Sequence, residues 1–91
     1  MILIGFLDVP LDRLDEVREA LPVHVLLTRA EPGCEHFEVI ESRSVPGRFA
    51  VSERFVDAAA FRAHQLRAEK ADWGQITRGI PRDYEIRGLD E

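Results

Sequence analysis

Two alternating segments, Glu35 to Arg43 and Arg48 to Val56, meet at Ser44-Val45-Pro46-Gly47, and this junction most constrains the fold. Proline presets φ for the first central position of a type II turn, and glycine tolerates the positive φ that the second demands. The two segments are therefore predicted to pair as an antiparallel hairpin. Around it, Ile2 to Val9 is an apolar run closed by Pro10, which reads as a first strand covered on both faces.

From Leu11 the period changes. Leu11, Leu14, Val17 or Arg18, Leu21, Val25 and Thr28 recur every three or four residues, with Asp12, Asp15, Glu16 and Glu19 on the other side, so the spacing predicts an amphipathic helix. Acidic residues in its first turn suit the helix dipole, and Pro22 removes an amide donor and is expected to kink or split it. Pro32-Gly33 stops it. After the hairpin, Asp57 is a good N-cap for a second helix through Ala58-Ala59-Ala60-Phe61, continuing with an irregularity to about Ile76. Gly79-Ile80-Pro81 ends that helix, and Arg82 to Arg87, with Tyr84 and Ile86 on one face, reads as a fourth strand.

The order strand, helix, strand, strand, helix, strand is the ferredoxin-like βαββαβ pattern, an α+β fold with both helices on one face of a four-stranded antiparallel sheet. At 91 residues the chain supports one domain over residues 1–91. The uncovered sheet face, with apolar residues such as Ile40 and Val56, is expected to be hidden by a second copy in a homodimer.

The formal net charge of -5, with Lys and Arg spread along the chain, argues against a nucleic-acid partner. A single cysteine, Cys34, excludes an internal disulfide, and no Cys/His cluster has the spacing of a zinc site, which fits a reducing cytoplasm. The N-terminus lacks the basic segment of a signal peptide, and no apolar run approaches the roughly 20 residues that cross a bilayer.

Glu53 alternates with Phe49, Val51 and Phe55 and so is expected on the apolar face directed at the helices. Desolvation there would raise its pKa, and a hydrogen bond or nearby cation would keep it charged. One reading is a proton acceptor; the other is a structural carboxylate tying the strand to a helix through Thr28 or His64. His64, one turn after Phe61, is placed across from Glu53, either to titrate near neutral pH or to serve as a bonded core-edge histidine. Trp73 and Tyr84 suit the lining of an apolar pocket for a planar ligand, or plain core. Cys34 reads as a buried inert thiol, Glu31 as an anchor of the helix-to-strand corner, and His24 and His36 as solvent-facing or interface residues.

Thr28-Arg29-Ala30-Glu31-Pro32-Gly33-Cys34, then Phe37-Glu38-Val39, then Phe49-Ala50-Val51-Ser52-Glu53-Arg54-Phe55-Val56-Asp57, and finally Phe61-Arg62-Ala63-His64 together form a specific pattern. Over about residues 1 to 78 the chain resembles the antibiotic biosynthesis monooxygenase (ABM) family. That family carries a Thr-x-x-Glu-x-Gly-Cys segment before the second strand, a Glu-x-aromatic motif ending the third, and a histidine in the second helix. The resemblance implies a dimeric α/β barrel. It also implies, for some members, oxidation of quinol-like aromatics by dioxygen without a cofactor, so that the substrate is its own reductant. In the enzyme reading, Glu53 and His64 would handle protons while Thr28, Phe55, Phe61, Trp73 and Tyr84 bind the substrate. Haem, degraded by a branch of the same superfamily, is not expected: that branch uses a first-strand asparagine and a tryptophan in the third-strand motif, whereas this chain has no asparagine and carries Phe55. The alternative of another class is a non-catalytic small-ligand-binding or stress-associated dimeric module on the same fold.

Overall fold

The computed structural model describes residues 1–88. The strands are β1 (Ile2–Asp8), β2 (Cys34–Glu41), β3 (Arg48–Phe55) and β4 (Arg82–Arg87), and the helices are α1 (Leu14–Arg29), α2 (Ala58–Lys70) and α3 (Asp72–Ile76). All four strands form one sheet in the order β2-β3-β1-β4 with every neighbour antiparallel, the ferredoxin-like α+β arrangement.

The hairpin forms where the turn residues place it. Arg48 N–H donates to the Val45 carbonyl at 3.2 Å, and Gly47 sits at φ 82°. Asp57 caps α2 by accepting from the Ala60 N–H at 2.8 Å. The expected irregularity falls at Ala71, whose extended backbone separates α2 from α3.

Three local expectations change. The apolar run of β1 is not covered on both faces: Leu3 and Leu7 are buried, whereas Ile2, Ile4 and Phe6 are each 43% exposed. The residues from Leu11 to Arg13 form a 3-10 turn, and α1 begins only at Leu14. Pro22 does not split α1, which runs unbroken to Arg29. Pro22 and Arg18, the residue whose carbonyl loses its i+4 donor, are both exposed, so water can satisfy that oxygen.

Between sheet and helices, Leu3, Leu7, Val17, Phe49, Val51, Phe55, Phe61 and Ile80 form the core. Register puts Glu53 beside Leu3 on one side and Phe37 on the other, all on that inner face. The opposite face presents Ile2, Ile4 and Phe6 from β1 and Ile40 from β2, with Val56 exposed just beyond β3. Among the described residues, no helix is long and apolar enough to cross a membrane.

Candidate active site

Each polar residue of the site is delivered by a different element. Alternation along β3 turns Glu53 inward, where only 7% of its surface remains exposed. Helical spacing puts His64 on the stripe of α2 that carries Ala58, Phe61 and Ala68, and it is 3% exposed. His64 Nε2 lies 3.9 Å from Glu53 Oε1, too far for a hydrogen bond. Among the described residues, Glu53 Oε1 is buried with no hydrogen-bond partner. Thr28, the tie considered from sequence, instead accepts from Arg67 Nη2 at 3.1 Å.

Burial, reinforced by the negative charge of Glu31, pushes the Glu53 carboxyl up to about 7. Burial also lowers the His64 pKa, against the opposing pull of its hydrogen bond with Glu31. Burial thus favours the neutral form of both groups, which leaves the carboxyl a proton to give and the imidazole a lone pair to take one.

Beside them lies a pocket of about 400 Å³ whose walls include Leu3, His24, Glu53, His64, Trp73 and Tyr84. Of the residues singled out in the sequence, the fold brings Glu53, His64, Trp73 and Tyr84 to this one cavity. Phe55, Phe61 and Thr28 are not on its wall. Phe55 stacks against His64 with centroids 5.1 Å apart, Phe61 meets Phe55 edge to face at 5.8 Å, and Thr28 is wholly buried under Arg67. Phe55 backs the imidazole. Burial raises the Tyr84 phenol to about 12, so it stays a neutral hydrogen-bonding group.

His24 is a correction. It is 5% exposed, stacked on Trp73, and lowered to about 3 by burial and by the neighbouring His64 and Arg67, so it is a neutral ring of the interior. The spacing Val17, Leu21, His24, Thr28 follows the buried stripe of α1, and that period was the available signal. Glu31 and Arg67 also belong to the site: Glu31 Oε1 is 2.7 Å from His64 Nδ1, and Arg67 Nε donates to Glu31 Oε2 at 3.1 Å. Arg67 follows His64 by three residues, which puts both on one side of α2. Cys34 is half-buried, and burial together with Glu31 and Glu53 keeps it a thiol by raising its pKa. His36 is half-buried on β2. Among the described residues, no group of three or more His, Cys, Asp or Glu side chains is placed to hold a metal ion.

A family model for antibiotic biosynthesis monooxygenases matches residues 1–73. The chain belongs to that family. Within this ABM chain the match takes in Glu31, Glu53, His64, Arg67 and Trp73 and ends before β4, which supplies Tyr84. No curated protein matches it. Three solved structures provisionally named antibiotic biosynthesis monooxygenases share its fold. One, from Nitrosomonas europaea, is 24% identical with a TM-score of 0.83, covering 96% of this chain and 95% of its own. One from Deinococcus radiodurans is 22% identical with a TM-score of 0.71, covering 96% and 91%. One from Bacteroides thetaiotaomicron is 18% identical with a TM-score of 0.77, covering 92% and 83%.

Proposed function

We propose that this ABM-family protein is a cofactor-independent monooxygenase that oxidises a small phenolic or quinol-like aromatic compound with dioxygen. The observation that carries the reading is the placement of two buried titratable groups, Glu53 and His64, 3.9 Å apart on the wall of a 400 Å³ pocket. A cavity of that size accepts one or two fused rings, and Trp73 and Tyr84 offer aromatic walls with a polar handle.

In the proposed reaction, the Glu53–His64 pair removes the hydroxyl proton of the bound aromatic. The resulting electron-rich anion reduces dioxygen, and one oxygen atom bonds to a ring carbon as a peroxide. The O–O bond then breaks as that carbon loses its hydrogen: one oxygen stays as a carbonyl and the other leaves as water, protonated by the same pair. A phenol plus O2 gives a quinone plus H2O, with all four electrons coming from the substrate. The same reading places the protein in the cytoplasm as a homodimer, its exposed sheet face covered by a second copy.

Oxygen uptake with a panel of quinols and naphthols tests the reading. Wild type is expected to consume oxygen, and His64→Ala and Glu53→Gln to lose on the order of 100-fold or more of kcat, the usual contribution of a positioned acid or base. Equal rates in wild type and His64→Ala would remove His64 from the chemistry. Binding of naphthols with no uptake by wild type would favour a non-catalytic ligand-binding module.

A further inference from the structure

We propose that Glu31, held by Arg67, is a positioning residue that fixes His64 as the Nδ1–H tautomer and so makes Nε2, on the Glu53 side, the proton-accepting nitrogen.

Glu31 lies in the turn between α1 and β2, and its carboxylate reaches across to α2. Its Oε1 and Oε2 stand 2.7 and 3.3 Å from His64 Nδ1. Arg67 Nε donates to Oε2 at 3.1 Å, and Arg67 Nη2 donates to the buried Thr28 hydroxyl oxygen at 3.1 Å. Arginine only donates, so Glu31 Oε2 is the acceptor in that contact. An ionised carboxylate only accepts, so the short contact to His64 requires the proton on Nδ1. Nε2 is then left with a lone pair. It points to the side where Glu53 Oε1 lies 3.9 Å away, so a ligand hydroxyl lying alongside the two atoms would be within reach of both. Turning the ring over would put a carbon against Glu31 and discard the charge-assisted bond, so the arrangement sets orientation as well as tautomer. The Phe55 ring, stacked at 5.1 Å and 28°, holds the imidazole plane from the sheet side.

Among the described residues, four ionisable groups face His64: Glu31 from the turn, Glu53 from β3, His24 from α1 with its ring centroid 6.0 Å away, and Arg67 from α2 itself. Of these, only Glu31 makes a hydrogen bond to the ring. The catalytic consequence rests on the function proposed above, whereas the tautomer does not.

Protein labelled with 15N-histidine gives the test by long-range proton–nitrogen NMR at neutral pH. The three histidines are assigned by substituting each in turn. Wild-type His64 is expected to show a protonated Nδ1 and a bare Nε2. In Glu31→Gln, whose amide both donates and accepts, the two nitrogens are expected to move toward intermediate shifts. If the reaction above holds, kcat should fall on the order of 100-fold with KM within about a factor of two. A wild-type His64 carrying its proton on Nε2 would overturn the assignment outright. So would a folded Glu31→Gln variant with unchanged nitrogen shifts. The NMR reads the tautomer whether or not any substrate is turned over, so an inactive wild type would sink the proposed function alone.

Discussion

His24 and Trp73 lie face to face, their ring centroids 4.4 Å apart and their planes 6° from parallel. The pair joins α1 to α3 and forms the partition between the 400 Å³ pocket and an outer groove of about 570 Å³, because both residues line both spaces. Among the described residues, His24 Nδ1 is buried without a hydrogen-bond partner, so stacking rather than hydrogen bonding at that atom holds the ring.

His24→Ala should therefore destabilise the fold and wet the tryptophan. Lost aromatic pairing is worth about 0.5–1.5 kcal/mol beyond the lost burial. His24→Phe keeps a ring and removes the unpartnered nitrogen, so it should match or exceed wild-type stability. Denaturant unfolding measures the first effect. Trp73, the single tryptophan, reports the second as a red shift in emission for the alanine variant alone.

Glu53 gives stability an unusual pH dependence. Its folded pKa, about 7, lies above the ordinary 4.5, so the folded state holds a proton that the unfolded chain has released between those values. Its contribution is fully present below pH 4.5 and is lost as pH rises to 7, with a slope of at most about 1.4 kcal/mol per pH unit. His24 works in the opposite sense. Its folded pKa, about 3, is below 6.5, so its contribution is full above pH 6.5 and is lost as pH falls toward 3. Between pH 4.5 and 6.5 the two slopes oppose each other. Glu53→Gln removes the falling contribution, so its stability should climb with pH across that window more steeply than that of wild type; urea titrations at pH 5 and 6 compare them.

Gly5 sits inside β1 where the backbone of β4 comes close. A Cβ there would stand 2.0 Å from the Asp83 carbonyl oxygen, and that neighbour is backbone and cannot swing aside. Gly5→Ala is expected to separate β4 from β1 and cost upward of about 2 kcal/mol. Amide hydrogen exchange should show β4 losing protection first. Retention of wild-type protection at Tyr84 and Glu85 would count against this close approach.

Ile2, Ile4, Phe6 and Ile40 leave an apolar sheet face open in the single chain. If a second copy covers it, as the proposed homodimer requires, Ile4→Lys should turn the dimer into a monomer by burying an unpaired charge at the contact. Light scattering after size exclusion separates the two states. A wild-type protein that stays monomeric at high concentration would end the proposal.

What the sequence by itself determined was local. Pro46 and Gly47 made the hairpin because their allowed φ values match the turn, and Asp57 capped α2 because its carboxylate reaches an amide three residues on. Period alone turned Glu53 inward and put His64 on the buried stripe of its helix. Tertiary structure decided the rest. Glu31 meets His64 across 33 residues of chain and Arg67 across 36, and no spacing along the chain encodes which carboxylate reaches an imidazole on another element. Pro22 stayed in an unbroken helix because packing left its side to water, and His24 went inside because Trp73 was there to stack on it. Local geometry depends on a few neighbouring dihedrals, whereas the partner of a buried polar group depends on how whole elements pack against one another.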